Sequence, residues 1–125
     1  IERRRAELIR SLAARAAWVE GLAALPPAEA SMALQTVPGI GPWTAAEVAV
    51  RAFGDPDAVS VGDFHLPTMV AFALAGESRA DDARMLELLE PYRGHRAIVM
   101  RLLELGGPRP ARRGQRMPTR AIEGI

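Results

Sequence analysis

The sequence predicts an all-α protein, a helical bundle built around one tight glycine turn. Three observations carry that expectation. Apolar residues recur at helical spacing along most of the chain, and the Pro and Gly residues fall mainly between those stretches. A lone β-branched run, Ala58-Val59-Ser60-Val61, is short and has no second run to pair with. It reads as an extended connector, not as a strand.

Each element has its own signals. Residues 2–24 are rich in Ala, Leu, Arg and Glu without an internal Pro. Leu8, Leu12, Arg15 and Val19 share a helical stripe, so one amphipathic helix is predicted there, ended by Pro26-Pro27. Residues 27–35 predict a short helix, with Pro27 at its start and Glu29 in the first turn, where the dipole favours an acid. Residues 42–53 predict another, with Val48, Ala49 and Ala52 on its apolar side. Gly54-Asp55-Pro56-Asp57 is a turn signal. Residues 63–75 predict a helix that tolerates Pro67 only because it lies in the first turn. Asp81 or Asp82 caps a helix running to Glu90, and Pro91 ends it. Residues 94–105 predict a last amphipathic helix with Ala97, Ile98, Leu102 and Leu105 apolar, stopped by Gly106-Gly107-Pro108. Trp18 reads as a core or interface residue, and Met32, Met69, Met85 and Met100 read as packing residues. The organisation is one helical domain over 1–107 and a flexible Arg-rich tail over 108–125.

Composition narrows the function classes. A chain of 125 residues, 49% hydrophobic, suits one domain or part of one. No apolar run reaches the length of a membrane span and no signal-peptide pattern opens the chain, so a cytoplasmic, nucleoid-associated location is expected. With no Cys there are no disulfides and no thiolate ligands for an iron–sulfur cluster, and 2 His alone make no transition-metal site. The net charge is only +1, but it is unevenly spread. All 16 basic residues are Arg. Arg109, Arg112, Arg113, Arg116 and Arg120 crowd the tail, and Glu77, Asp81, Asp82, Glu87 and Glu90 gather before it. Such polarity suits a polyanion on one face. Arg3, Arg4, Arg5, Arg10 and Arg15 at the start read as a solvated surface.

The segment from Leu34 to Ala46 is the most informative. Gly39 and Gly41 allow a tight turn and a close approach to the main chain. Ile40, between them, can plug the gap between the flanking helices. Pro42 starts the next helix where its missing N–H costs nothing. The free N–H groups there make a site for a phosphate that reads no base sequence. An ordinary corner between two helices would use the same residues. Asp63, just beyond the second helix, is a carboxylate kept charged by a helix start, or a plain N-cap.

Three segments occur in a telling order. They are Leu34-Gln35-Thr36-Val37-Pro38-Gly39-Ile40-Gly41-Pro42-Trp43-Thr44-Ala45, then Val61-Gly62-Asp63-Phe64-His65-Leu66, then Glu90-Pro91-Tyr92-Arg93-Gly94-His95-Arg96. Together they resemble the helix–hairpin–helix DNA glycosylase superfamily, and within it the 3-methyladenine-DNA glycosylase II-like branch. The resemblance covers residues 3–107. The family's domain extends further on its N-terminal side. A chain opening on Ile1 is therefore expected to be the C-terminal part of such a domain, with an apolar face where the preceding helices dock.

The resemblance implies base-excision repair by a monofunctional glycosylase that hydrolyses the N-glycosidic bond of alkylated purines such as 3-methyladenine. It implies Asp63 as the catalytic residue and a base pocket of Trp43, Tyr92 and His65. It implies DNA-backbone contacts from Val37, Pro38, Gly39, Ile40, Gly41, Pro42, Thr44 and Arg93. A monovalent sodium or potassium ion on the main-chain carbonyls of Gln35, Val37 and Ile40 is implied as the one candidate cofactor. The partner is double-stranded DNA with damaged bases, met by a monomer. Trp43 stands where bifunctional relatives carry a lysine, and this chain has no Lys. Water is then the nucleophile. One carboxylate can stabilise the oxocarbenium-like sugar and orient that water. An alkylated, cationic base leaves without much acid assistance. Trp43 can stack on it, or pack the hairpin as a core residue. The competing reading is a non-catalytic module that grips DNA backbone within a larger repair protein. Such a module needs neither Asp63 nor Pro91-Tyr92-Arg93.

Overall fold

Seven α-helices and two short 3-10 turns make up the computed structural model, which describes residues 2–109. There is no strand among the described residues, and 58–61 is an extended connector, as the sequence predicts. The helices are α1 (Arg3–Ala13), α2 (Ala16–Gly21), α3 (Pro27–Gln35), α4 (Pro42–Ala52), α5 (Leu66–Ala75), α6 (Asp82–Leu89) and α7 (Arg96–Gly106). None is long and apolar enough to cross a membrane. Of the tail expected over 108–125, residues 110–125 lie outside the described residues.

Two apolar clusters hold the helices. In the first, Leu22, Ala30, Leu34, Val37, Ile40 and Ala45 are buried, with Leu8, Leu12, Val48 and Phe53 packed against them. Ile40 plugs the gap between α3 and α4 as expected, and Val37 joins it. In the second, Leu66, Val70, Met85, Leu89 and Met100 are buried beneath α5, α6 and α7. Full burial of side chains this size contributes about 1.5–3 kcal/mol each.

The structure departs from the sequence reading in several places. The single helix expected over 2–24 breaks at Ala14 and Arg15, where Arg15 leaves helical geometry (φ −117, ψ 29). The break lets Leu8 and Leu12 of α1 and Leu22 after α2 converge on one cluster. Met32 is exposed, not packed; Trp18 is exposed and so not a core residue, and the Arg15 guanidinium lies over its ring at 5.0 Å. On α4 the buried side is Ala45, Ala46 and Ala49, and Ala52 faces outward. On α7 the buried residues are Ala97 and Met100, while Ile98, Leu102 and Leu105 form an exposed apolar stripe.

One clip joins the halves. Asp57, which the sequence reads only as part of a turn, accepts from Gly94 N (2.7 Å), Arg96 N (3.1 Å) and Arg96 Nε (2.8 Å) on Oδ1. Its Oδ2 accepts from Arg96 Nη2 at 2.6 Å. The connector leading to Asp63 is thereby tied to the start of α7.

Candidate active site

The link between α3 and α4 is short and internally bonded. Ile40 N donates to the Val37 carbonyl at 3.0 Å, closing a turn through Pro38 and Gly39. Pro in the second place and Gly39 at φ 97 in the third are the signature of a type II turn. Thr36 Oγ1 donates to the Ala33 carbonyl at 2.7 Å. Val37 and Ile40 are buried, so only their main chains can meet a partner, while Pro38, Gly39 and Gly41 are exposed. A Cβ on Gly39 would meet Leu8 Cδ2 of α1 at 3.5 Å, whereas one on Gly41 would meet open space. α4 starts with Pro42 and has no side-chain cap, so the N–H groups of Trp43 and Thr44 lack intrahelical partners.

Asp63 sits just before α5, not inside it. The helix predicted from residue 63 begins at Leu66, because the Asp63 side chain bonds the backbone first. Its Oδ1 accepts from His65 N at 2.7 Å and Leu66 N at 2.9 Å. Its Oδ2 accepts from Trp43 Nε1 at 3.1 Å, across 20 positions of sequence. The carboxylate thus ties the start of α4 to the start of α5. Burial pushes its pKa up, but the two backbone N–H groups and the indole outweigh burial and hold it below the usual carboxylate value. Asp63 is therefore charged at neutral pH.

Two further contacts fix this place, and the sequence does not single them out. Gly62 (φ 86) donates its N–H to Asp82 Oδ2 at 2.8 Å, so the first turn of α6 anchors the residue before Asp63. Asp81 is the cap of α6, accepting from Arg84 N at 2.9 Å. Ser60 is buried and donates to Glu47 Oε1 of α4 at 2.5 Å. The only sequence signal for Asp82 is its place in a helix's first turn, which any acid there would satisfy.

The other expected site residues are spread more widely. His65 is exposed, and its ring meets Phe64 edge-on at 4.9 Å. Phe64 is 89% exposed and borders an open groove of about 820 Å³ shared with His65, Met69, Arg79 and Arg109. Trp43 is 42% exposed, with its N–H edge committed to Asp63. Tyr92 lies on the 3-10 turn after α6, exposed, and Arg93 is held by Glu90 through a pair of bonds at 2.8 and 2.9 Å. Neither hydrogen-bonds Asp63. Of the residues named from sequence, the structure brings together Trp43, Asp63 and His65 beside the turn. Among the described residues no cluster of three or more acidic or His side chains could hold a metal ion. The Val37 carbonyl keeps one lone pair beyond its bond to Ile40, and neutral carbonyls of this kind suit a monovalent cation.

Over 33 residues the chain is 52% identical to a Mycobacterium tuberculosis protein named probable bifunctional transcriptional activator/DNA repair enzyme AlkA. Over that stretch it is similar to AlkA. The similarity is the same in strains CDC 1551 / Oshkosh and ATCC 25618 / H37Rv, and it covers 26% of this chain and 7% of the relative's length. No family model matches the chain, and no solved structure matches it.

Proposed function

We propose that the chain acts in DNA repair as a monofunctional glycosylase of the helix–hairpin–helix type, releasing alkylated purines such as 3-methyladenine by hydrolysis. The observation that carries this reading is the Asp63 carboxylate, charged and tied by the Trp43 indole to the helix that opens after the glycine turn. A capping role accounts for Oδ1 and leaves Oδ2 unexplained. The likeness to AlkA supports a repair role.

In this reading the turn from Thr36 to Gly41 and the first N–H groups of α4 take a DNA phosphate. Carbonyls of Gln35, Val37 and Ile40 would hold a monovalent cation that neutralises charge beside it. The extruded base enters the groove bordered by Phe64 and His65. Arg93 meets DNA through the Nη1 edge that its pairing with Glu90 leaves free. Asp63 stabilises the sugar cation and orients the attacking water. With no Lys in the chain, no side-chain amine can attack the sugar.

Two measurements test the reading. Incubated with alkylated duplex, the protein should release methylated adenine and leave an intact strand that breaks only after alkali or heat. Borohydride should trap no covalent adduct. A borohydride-stable adduct, with strand breakage in untreated samples, would mean a terminal amine is the nucleophile and the hydrolytic assignment is wrong.

The turn itself is tested at Gly41, whose φ of −96 and open surroundings accept a side chain. Gly41→Glu should lower duplex affinity about tenfold or more at low salt and flatten its salt dependence, by setting a negative charge at the positive end of α4. Gly39→Glu is a poorer probe, since its side chain would start toward Leu8 from a strained backbone. Unchanged affinity in a folded Gly41→Glu variant would reduce the turn to a structural corner.

A further inference from the structure

The Trp43–Asp63 bond asks more of the indole than stacking. An indole has one donor, fixed in the plane of a rigid ring, and no acceptor. Unlike a hydroxyl it cannot swing its proton to another partner. The two N–H groups of His65 and Leu66 hold only Oδ1. A carboxylate held at one oxygen can still pivot about that anchor. The bond to Trp43 Nε1 fixes the second oxygen, and with it the plane of the group. Trp43 in turn follows Pro42 on a helix whose Ala45, Ala46 and Ala49 are buried, so its backbone is not free to shift. The same first turn of α4 carries the unpartnered N–H groups beside the glycine turn.

We propose that Trp43 is the positioning residue for Asp63, its indole N–H setting the direction of Oδ2 and locking the phosphate-docking turn and the carboxylate into one unit. Its catalytic consequence rests on the glycosylase reading; the positioning itself does not. The ring face and the N–H edge are separate surfaces. A base stacked on the face would lie beside an oxygen held by the edge. The indole bond also helps keep the carboxyl ionised, alongside the backbone N–H groups.

Trp43→Phe separates edge from face, because phenylalanine keeps an aromatic surface and loses the donor. Measured on the full chain by carbon-detected NMR, the Asp63 carboxyl should titrate at higher pH in Trp43→Phe than in wild type. Trp18→Phe, which removes the other tryptophan on exposed α2, should leave that titration where it was. In single-turnover base release from 3-methyladenine duplex, Trp43→Phe should be about tenfold slower, the loss expected for a hydrogen bond to a charged group. Its acid limb should move to higher pH, and duplex affinity should stay within about twofold. An unmoved Asp63 titration overturns the positioning role. So does a variant that loses affinity while keeping its single-turnover rate, since that is the signature of stacking alone. A shifted titration in Trp43→Phe, together with a wild-type protein that releases no base, would instead overturn the glycosylase reading and leave the positioning intact.

Discussion

Asp63→Asn is expected to suppress base release from alkylated duplex by at least about a hundredfold to a thousandfold, while duplex binding survives. The substitution keeps the size of the side chain and removes its charge. The amide oxygen can still accept from His65 N and Leu66 N, so the start of α5 should hold. The amide nitrogen then faces the Trp43 indole N–H, donor against donor, and that bond is lost. Helix content by circular dichroism should be unchanged. Asp63→Glu is the companion variant: it keeps the charge but carries it one methylene away from the indole, and should also be severely slowed. On the proposed glycosylase reading the active form is the carboxylate, whose pKa is lowered. Release should therefore stay level from neutral pH into the ordinary carboxylate range and fall only as pH drops through the lowered pKa. Comparable release of methylated adenine by wild type and Asp63→Asn would remove Asp63 from the chemistry.

Local signals made the secondary structure legible. Pro27, Pro42 and Pro67 each lie at the start of a helix, and Gly76 at φ 69 ends α5. Such residues act on their own backbone, so no knowledge of the fold is needed. The break at Ala14 and Arg15 carries no such punctuation. It exists because Leu8, Leu12 and Leu22 must reach one cluster, and that demand comes from packing. The outward stripe of Ile98, Leu102 and Leu105 misleads for a related reason. Periodicity shows that a face is apolar but not which of two faces the neighbours cover.

The site divides in the same way. Asp63 and the Val37–Gly41 turn stand out in sequence because each is a contiguous signature. The contacts that hold Asp63 do not, because they join distant positions. Trp43 reaches it across 20 residues, and Asp82 holds Gly62 across another 20. Trp43 was expected against a base or in the core, and its N–H edge does neither. The resemblance implies Tyr92 in the base pocket and Arg93 at the DNA backbone, and in the structure Glu90 engages the Arg93 guanidinium locally. Hydrogen bonds between side chains far apart in sequence leave no local pattern to read.

The largest expected loss of stability comes from Asp57, a residue outside the chemistry. Arg96 beside it, through a side-chain hydrogen bond, draws its pKa from 3.8 to about 2, against burial and with help from the backbone N–H groups of Arg96 and Gly94. The pair is shielded but not sealed, with side-chain exposures of 18% for Arg96 and 25% for Asp57. Allowing for that solvent, the charged form contributes about 2 kcal/mol at neutral pH. Asp57→Ala removes all four bonds and leaves the Arg96 charge and the N–H groups of Gly94 and Arg96 unpartnered, so the cost should reach about 3 kcal/mol. The melting temperature should fall by about 10 °C. The pH dependence follows from the sign of the shift. A carboxylate with a depressed folded pKa stabilises fully above its unfolded value of 3.8, and loses that contribution as pH falls toward about 2. The stability gap between wild type and Asp57→Ala, from urea midpoints, should therefore be constant from pH 7 to about 5 and shrink through acid pH. Asp57→Asn should sit between the two, keeping an acceptor but not the charge. A gap unchanged down to pH 2 would show that packing at the turn, and not the ion pair to Arg96, joins the connector before Asp63 to α7.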